Sequence, residues 1–161
     1  MESWDKVAAY MAKRLAEIKG VDKIDLLTLN KVLYFAQRES YMKTQSPLFN
    51  EGMFHAAQYG PVILQLKKSL SEDLLTEMPD EHWLDCNRKL LEGVLTHYGV
   101  MSAHSLSTIS HREISWRNAR ERATSSRYEP ISDKDIRIDA LKLRLRIDKL
   151  KAHDSRSGTM D

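Results

Sequence analysis

The chain has 161 residues, of which 42% are apolar and 30% charged, and its net charge is +2. That length and balance predict one globular domain whose core needs no disulfide or structural metal. Six glycines and four prolines exclude collagen-like and low-complexity chains and argue against a turn-rich β-sandwich.

Residues 4–19 read as an amphipathic helix. Val7, Ala8, Met11, Leu15 and Ile18 recur at spacings of three and four, Ser3 stands at the capping position, and Gly20 ends the segment. A second helix is predicted over 25–44, capped by Asp25 or Thr28. Its apolar residues, among them Leu26, Leu29, Val32, Leu33 and Phe35, cover much of the circumference, which is the pattern of a central helix. Residues 45–61 form an irregular connection punctuated by Pro47, Gly52 and Gly60-Pro61, with room for a short extended segment at 53–57.

Pro61 suits the first turn of a helix, so a short third helix is expected there, continued by Val62, Ile63, Leu66 and Leu70. An acidic loop over 71–81 leads to a fourth helix over 80–98, with Leu84, Leu91, Val94, Leu95 and Tyr98 on its apolar face. Cys86 lies on this helix and is expected to be a small buried residue. Ser102 and Ser115 are placed to cap two short helices. Ser132 and Asp135 resemble a capping box and open a last helix that runs to about 151. Leu141, Leu143, Leu145 and Ile147 alternate as in a strand, while Ile136, Ala140, Leu143 and Ile147 keep helical spacing. The absence of Gly and Pro from 132–151 favours helix. The expected fold is mostly α: a compact single-domain bundle of about six helices with at most one small β element near residues 50–60. Residues 1–151 form the domain and 152–161 a disordered tail.

No apolar run is long enough to cross a bilayer, no secretory apolar segment opens the chain, and Cys86 is the only cysteine. A cytoplasmic protein without a membrane partner is expected. Residues 1–100 carry 12 basic and 14 acidic side chains, whereas 101–161 carry 13 basic and 9 acidic. The basic excess begins at Arg112 and continues through Arg117, Arg120, Arg122 and Arg127 into the last helix. Such a face is either solvated or steers an acidic partner or a phosphate backbone. A nucleic-acid-binding regulator using this third of the chain is therefore the alternative function, although no reading motif is present and nucleic acid is not the expected partner.

Chemistry-bearing motifs are sparse. The glycines are scattered, so no phosphate loop forms. His97, His104 and His111 fall in three different elements with no completing Cys or carboxylate, so no metal is expected. No cofactor is implied, and no catalytic residue is assigned; His111 and Glu113 are the only candidates an enzyme would have. Two strings stand apart from simple packing. In Tyr59-Gly60-Pro61-Val62 a large amphipathic ring stands at a turn. In Ser110-His111-Arg112-Glu113-Ile114-Ser115-Trp116 a polar triplet joins two short helices ahead of a tryptophan. One reading has His111 and Glu113 capping helix ends while Tyr59 and Trp116 fill the core. The other makes Tyr59, Gly60, Pro61, His111, Glu113, Trp116, Arg117 and Arg120 a partner-binding surface, because Tyr, Trp and Arg dominate interface energetics.

At these strings the chain resembles a known family. Lys31-Val32-Leu33-Tyr34-Phe35-Ala36-Gln37 is similar to the Lys-Leu-Leu-Tyr-Tyr-Ala-Gln helix of the Panacea domain, also called the SocA-like antitoxin domain and related to phage-associated GepA proteins. Pro47-Leu48-Phe49-Asn50-Glu51 resembles its Pro-Leu-Phe-Asp-Glu, and Tyr59-Gly60-Pro61-Val62 its Tyr-Gly-Pro-Val. The 110–116 string resembles its Thr-His-x-Glu-x-Pro-Trp, with Ser115 where proline is usual, and Ile131-Ser132 its last Ile-Ser. The matches keep their order over about residues 25–145. Arg38-Glu39-Ser40-Tyr41 departs from the family's Gly-Trp-Tyr. The resemblance implies a non-catalytic antitoxin that neutralises a protein toxin by direct binding, the toxin being encoded by an adjacent gene. One branch of the family implies a further role, an adaptor that delivers the toxin to an ATP-dependent protease.

Overall fold

The computed structural model describes residues 1–123 and 128–158; Arg127, counted above in the basic run, and residues 159–161 lie outside them. Among the described residues the chain forms seven helices and three short strands. Helix α1 spans Trp4–Lys19 and α2 spans Leu26–Thr44. Strands β1 (Phe54–Ala57) and β2 (Gly60–Ile63) follow, then α3 (Leu66–Ser71) and α4 (Glu81–Tyr98). The chain continues through α5 (Ala103–Ser110), α6 (Ile114–Arg122), β3 (Glu129–Pro130) and α7 (Asp133–Gly158). Asp25 caps α2 through the Thr28 amide, Asp80 caps α4 through Trp83, Ser102 caps α5 through Ser105, and the Ser132 hydroxyl accepts from the Asp135 amide at 3.2 Å. Gly20 ends α1 in the left-handed region, at φ 66°. Ser3 holds the N-cap position of α1, but its side chain makes no capping bond.

The all-round apolar pattern of α2 has the expected result. Every side chain from Thr28 to Arg38 is buried, and α1, α4, α5, α7 and β2 pack around it. Leu29, Val32, Leu33 and Phe35 are fully inside, joined by Met11 and Leu15 from α1 and Leu91 and Leu95 from α4. The last segment is helical, as its length suggested, and α7 continues to Gly158, beyond the expected end at about 151.

Three expectations are corrected. Pro61 does not open a helix. It lies in β2, pairing with Ala56 across an antiparallel hairpin, and the helix that follows is only Leu66–Ser71. The sheet order is β2-β1-β3, so β2 is an edge strand, where the missing proline amide proton costs least. Cys86 is exposed. It falls among Asp85, Asn87, Arg88 and Lys89 on the polar side of α4, out of phase with Leu84, Leu91 and Leu95. Ser115 is not the cap of α6; Glu113 holds that position and Ser115 is buried inside the first turn.

Candidate functional site

Lys31, Tyr34 and Arg38 recur at i, i+3 and i+7 along α2, so they project from one face of a stretch, 28–38, that is buried all round. Polar groups in that position need partners. Tyr34 donates to Asp139 Oδ2 at 3.1 Å and meets the Ser115 hydroxyl at 2.6 Å. Asp139, on α7, accepts from the amides of Ile114 and Ser115 at 2.8 and 2.9 Å. It thus caps α6 from another helix, meeting the positive end of the α6 dipole. Glu113 makes no capping bond; its carboxylate is ion-paired with Arg38.

Arg38 is 2% exposed. One terminal nitrogen meets Glu113 and the other donates to the Tyr98 hydroxyl. Its guanidinium lies over the Phe35 ring at 4.7 Å, and Phe35 stacks on Tyr98 at 4.2 Å. Among the described residues its Nε has no hydrogen-bond partner. The Glu113 carboxyl is pushed up to about 7, chiefly by burial, with the neighbouring Asp139 adding to the rise and Arg38 opposing it. Burial, with Asp139 and Glu113 nearby, also holds the Tyr34 hydroxyl well above the usual phenol range.

The hairpin closes on the same junction. Gly60 has φ 128°, and a Cβ there would lie 2.7 Å from the Ser110 hydroxyl and 3.4 Å from Lys31 Cε, so the strand approaches α2 and α5 through the space a side chain would fill. Ser107 on α5 donates to the Tyr59 carbonyl at 2.8 Å. Trp116 donates to the Ala57 carbonyl at 2.8 Å, and Arg120 to that of Ala56 at 3.4 Å, so α6 is fastened to β1. The His111 ring stacks on Trp116 at 4.2 Å, and burial lowers its pKa. Burial likewise lowers the pKa of Lys31.

The eight predicted partner-binding residues separate into distinct places. Tyr59, 58% exposed, and Arg120 line a recess of about 350 Å³ at the hairpin tip. Glu113 and Arg117 line a larger open cleft, about 650 Å³, between α5–α6 and α7. Gly60 and Pro61 are buried and shape the hairpin without presenting a surface. His111 and Trp116, half-buried, join the two sides: the His111 carbonyl accepts from Arg117, and Trp116 bonds to β1. Sequence reasoning missed Tyr34, Arg38, Ser115 and Asp139, which hold the junction together. One signal was available: a charged residue on a helix apolar all round must be buried, and must find a partner elsewhere in the chain.

Among the described residues no group of three or more His, Cys, Asp and Glu is placed to hold a metal ion, and no helix is long and apolar enough to cross a membrane. The family model described as antitoxin SocA-like, Panacea domain matches residues 29–117, more than half of the chain, and the chain belongs to that family. The match begins in α2 and ends in the first turn of α6, spanning both ends of the Arg38–Glu113 pair. No curated protein and no solved structure matches the chain.

Proposed function

From its place among the SocA-like Panacea domains, we propose that this protein is the antitoxin of a toxin–antitoxin pair. It acts in the cytoplasm, binds a protein toxin encoded by an adjacent gene, and neutralises it by occupying its surface without catalysing a reaction. Residues 1–151 are the binding unit. The observation that carries this reading is the family match itself, which covers the α5–α6 junction and one side of each recess beside it, Arg38 to Arg117 in the cleft and Ala57 to Tyr59 at the hairpin tip. The exposed Tyr59 with half-buried Arg120 on one side, and exposed Arg117 on the other, offer the aromatic and guanidinium groups that anchor protein interfaces. Gly60, Pro61, Glu113 and, through its stacked ring, His111 hold that surface in shape.

The test is expression of the neighbouring gene alone and together with this protein, scored as growth. The neighbouring product alone arrests growth, co-expression restores it, and the two proteins co-purify. Tyr59→Ala combined with Arg117→Glu, checked for unchanged thermal stability, weakens both rescue and co-purification. A neighbouring product that is harmless, or that kills regardless of this protein, defeats the reading. Rescue that requires an active ATP-dependent protease in the host assigns the adaptor mode; rescue in a protease-deficient host assigns occlusion.

A further inference from the structure

The cleft between α5–α6 and α7 has a composition that specifies its occupant. Its base is the buried trio Arg38, Glu113 and Tyr98. Arg112 and Arg117 stand on one wall, Lys142 and Arg146 on the other, and Ile109, Ile114, Leu143 and Leu145 lie among them. The two carboxylates that line it are already engaged: Glu113 with Arg38, and Asp139 with the α6 amides and Tyr34. Among the described residues Arg112, Lys142 and Arg146 have no ion pair or side-chain hydrogen bond, and Arg117 is bonded only to a backbone carbonyl. Arg38 adds a buried Nε with no partner. Cationic capacity in this cleft therefore exceeds what the chain itself neutralises.

A second, independent observation is the wall that α7 contributes. From Leu141 to Asp154 no side chain of α7 is fully buried, and Leu145, which lines the cleft, is 55% exposed. Among the described residues this half of the helix touches the rest of the chain only in part, through half-buried Leu143 and Ile147 and the bond from Arg144 to the Met42 carbonyl, although its apolar residues keep coming.

We propose that the cleft is the receptor for an acidic, aliphatic segment of the bound toxin, with carboxylates on the arginine and lysine rim and aliphatic side chains against Ile109, Ile114, Leu143 and Leu145. The proposal rests on the neutralisation reading above and names the chemistry of its partner. Nucleic acid fits the cleft less well. Single strands need planar faces for their bases. The rings here are His97 and Tyr98, packed edge-on at 4.5 Å, with Tyr98 itself stacked on Phe35. A second copy is the other competitor, because residues 72–78 are themselves acidic and aliphatic, with Leu74 and Met78 exposed.

The test uses the full chain with Arg112→Glu and Arg146→Glu combined, and separately Leu145→Ser, each at an exposed position. The probes are a fluorescein-labelled peptide of alternating leucine and glutamate pairs, its lysine counterpart, and a short single-stranded DNA. The glutamate peptide binds the wild type with salt-dependent affinity, and the double charge reversal weakens it by about tenfold. Leu145→Ser weakens it less, and the lysine peptide does not bind. Both variants keep the wild-type melting temperature, and the double variant loses growth rescue. No binding of the glutamate peptide, equal binding by the double variant, or tighter binding of DNA overturns the proposal. So does self-association of the wild type in sedimentation that Glu77→Lys abolishes. Full rescue by the double variant overturns it while leaving neutralisation intact. Failure of the wild type to rescue defeats neutralisation instead, and the peptide titration then decides the cleft by itself.

Discussion

Arg38 and Glu113 stand 75 positions apart in sequence and form a buried ion pair that joins the central helix to the N-cap of α6. The pair sits at the base of the basic cleft, and Glu113 is the central residue of the 110–116 string. Its position makes the α5–α6 junction an extension of the core, although most of that junction is short helix and turn.

Removing one member of a buried pair leaves an uncompensated charge. Arg38→Met is expected to lower stability by about 3–5 kcal/mol in urea unfolding. Arg38→Met combined with Glu113→Leu removes both charges together and recovers a large part of that loss. A double variant as unstable as the sum of the two singles would show that Arg38 and Glu113 act independently.

Glu113 makes the stability depend on pH in a defined direction. Its carboxyl titrates at about 7 in the folded chain, against an ordinary value of 4.5. Folding takes up a proton between those values, so this contribution is complete below about 4.5 and disappears as pH rises through about 7. His111, lowered by burial, acts with the opposite sign, which is why the comparison must be with Glu113→Gln. The stability of the wild type relative to that variant is expected to fall as pH rises from about 5 to about 8, read from urea midpoints. A difference that is constant or increases with pH contradicts the assignment.

Two glycines should respond in opposite ways to alanine. Gly60→Ala places a Cβ against Ser110 at φ 128° and is expected to cost about 1–3 kcal/mol, with loss of the hairpin contacts to Trp116. Gly93 lies in the interior of α4 with open space where a Cβ would go, so Gly93→Ala is expected to stabilise by about 0.5–1 kcal/mol. Thermal unfolding of the two variants beside the wild type decides both signs.

Leu33 is fully buried on α2, in the core cluster that also holds Met11 and Leu91. Leu33→Ala is expected to destabilise by about 2–5 kcal/mol, since the surrounding helices cannot collapse onto the gap. A loss below about 0.5 kcal/mol would place α2 at the periphery of the fold.

Local features of the chain were legible because their causes lie within a few residues. Asp25 and Ser102 announce the helices they cap, Gly20 the end it permits, and the all-round apolar residues of α2 its central place. Cys86 was legible too, had its phase on α4 been followed rather than its residue type. The family strings were visible as strings, but their purpose was not. Gln37 donates to the Phe49 carbonyl and accepts from the Leu48 and Phe49 amides, so two strings that looked separate are one contact. Tyr34 and Ser115 join the first of these to a third, the 110–116 string. Pro61 became a strand residue because β1 was present to pair with it, and Ser115 lost its capping role because Asp139 arrived from α7. A helix cap or an apolar stripe is decided by neighbours three or four positions away. The partner of a buried charge, the face an edge strand pairs with, and the surface left uncovered on α7 depend on which distant segments pack together, and that is decided only in the folded chain.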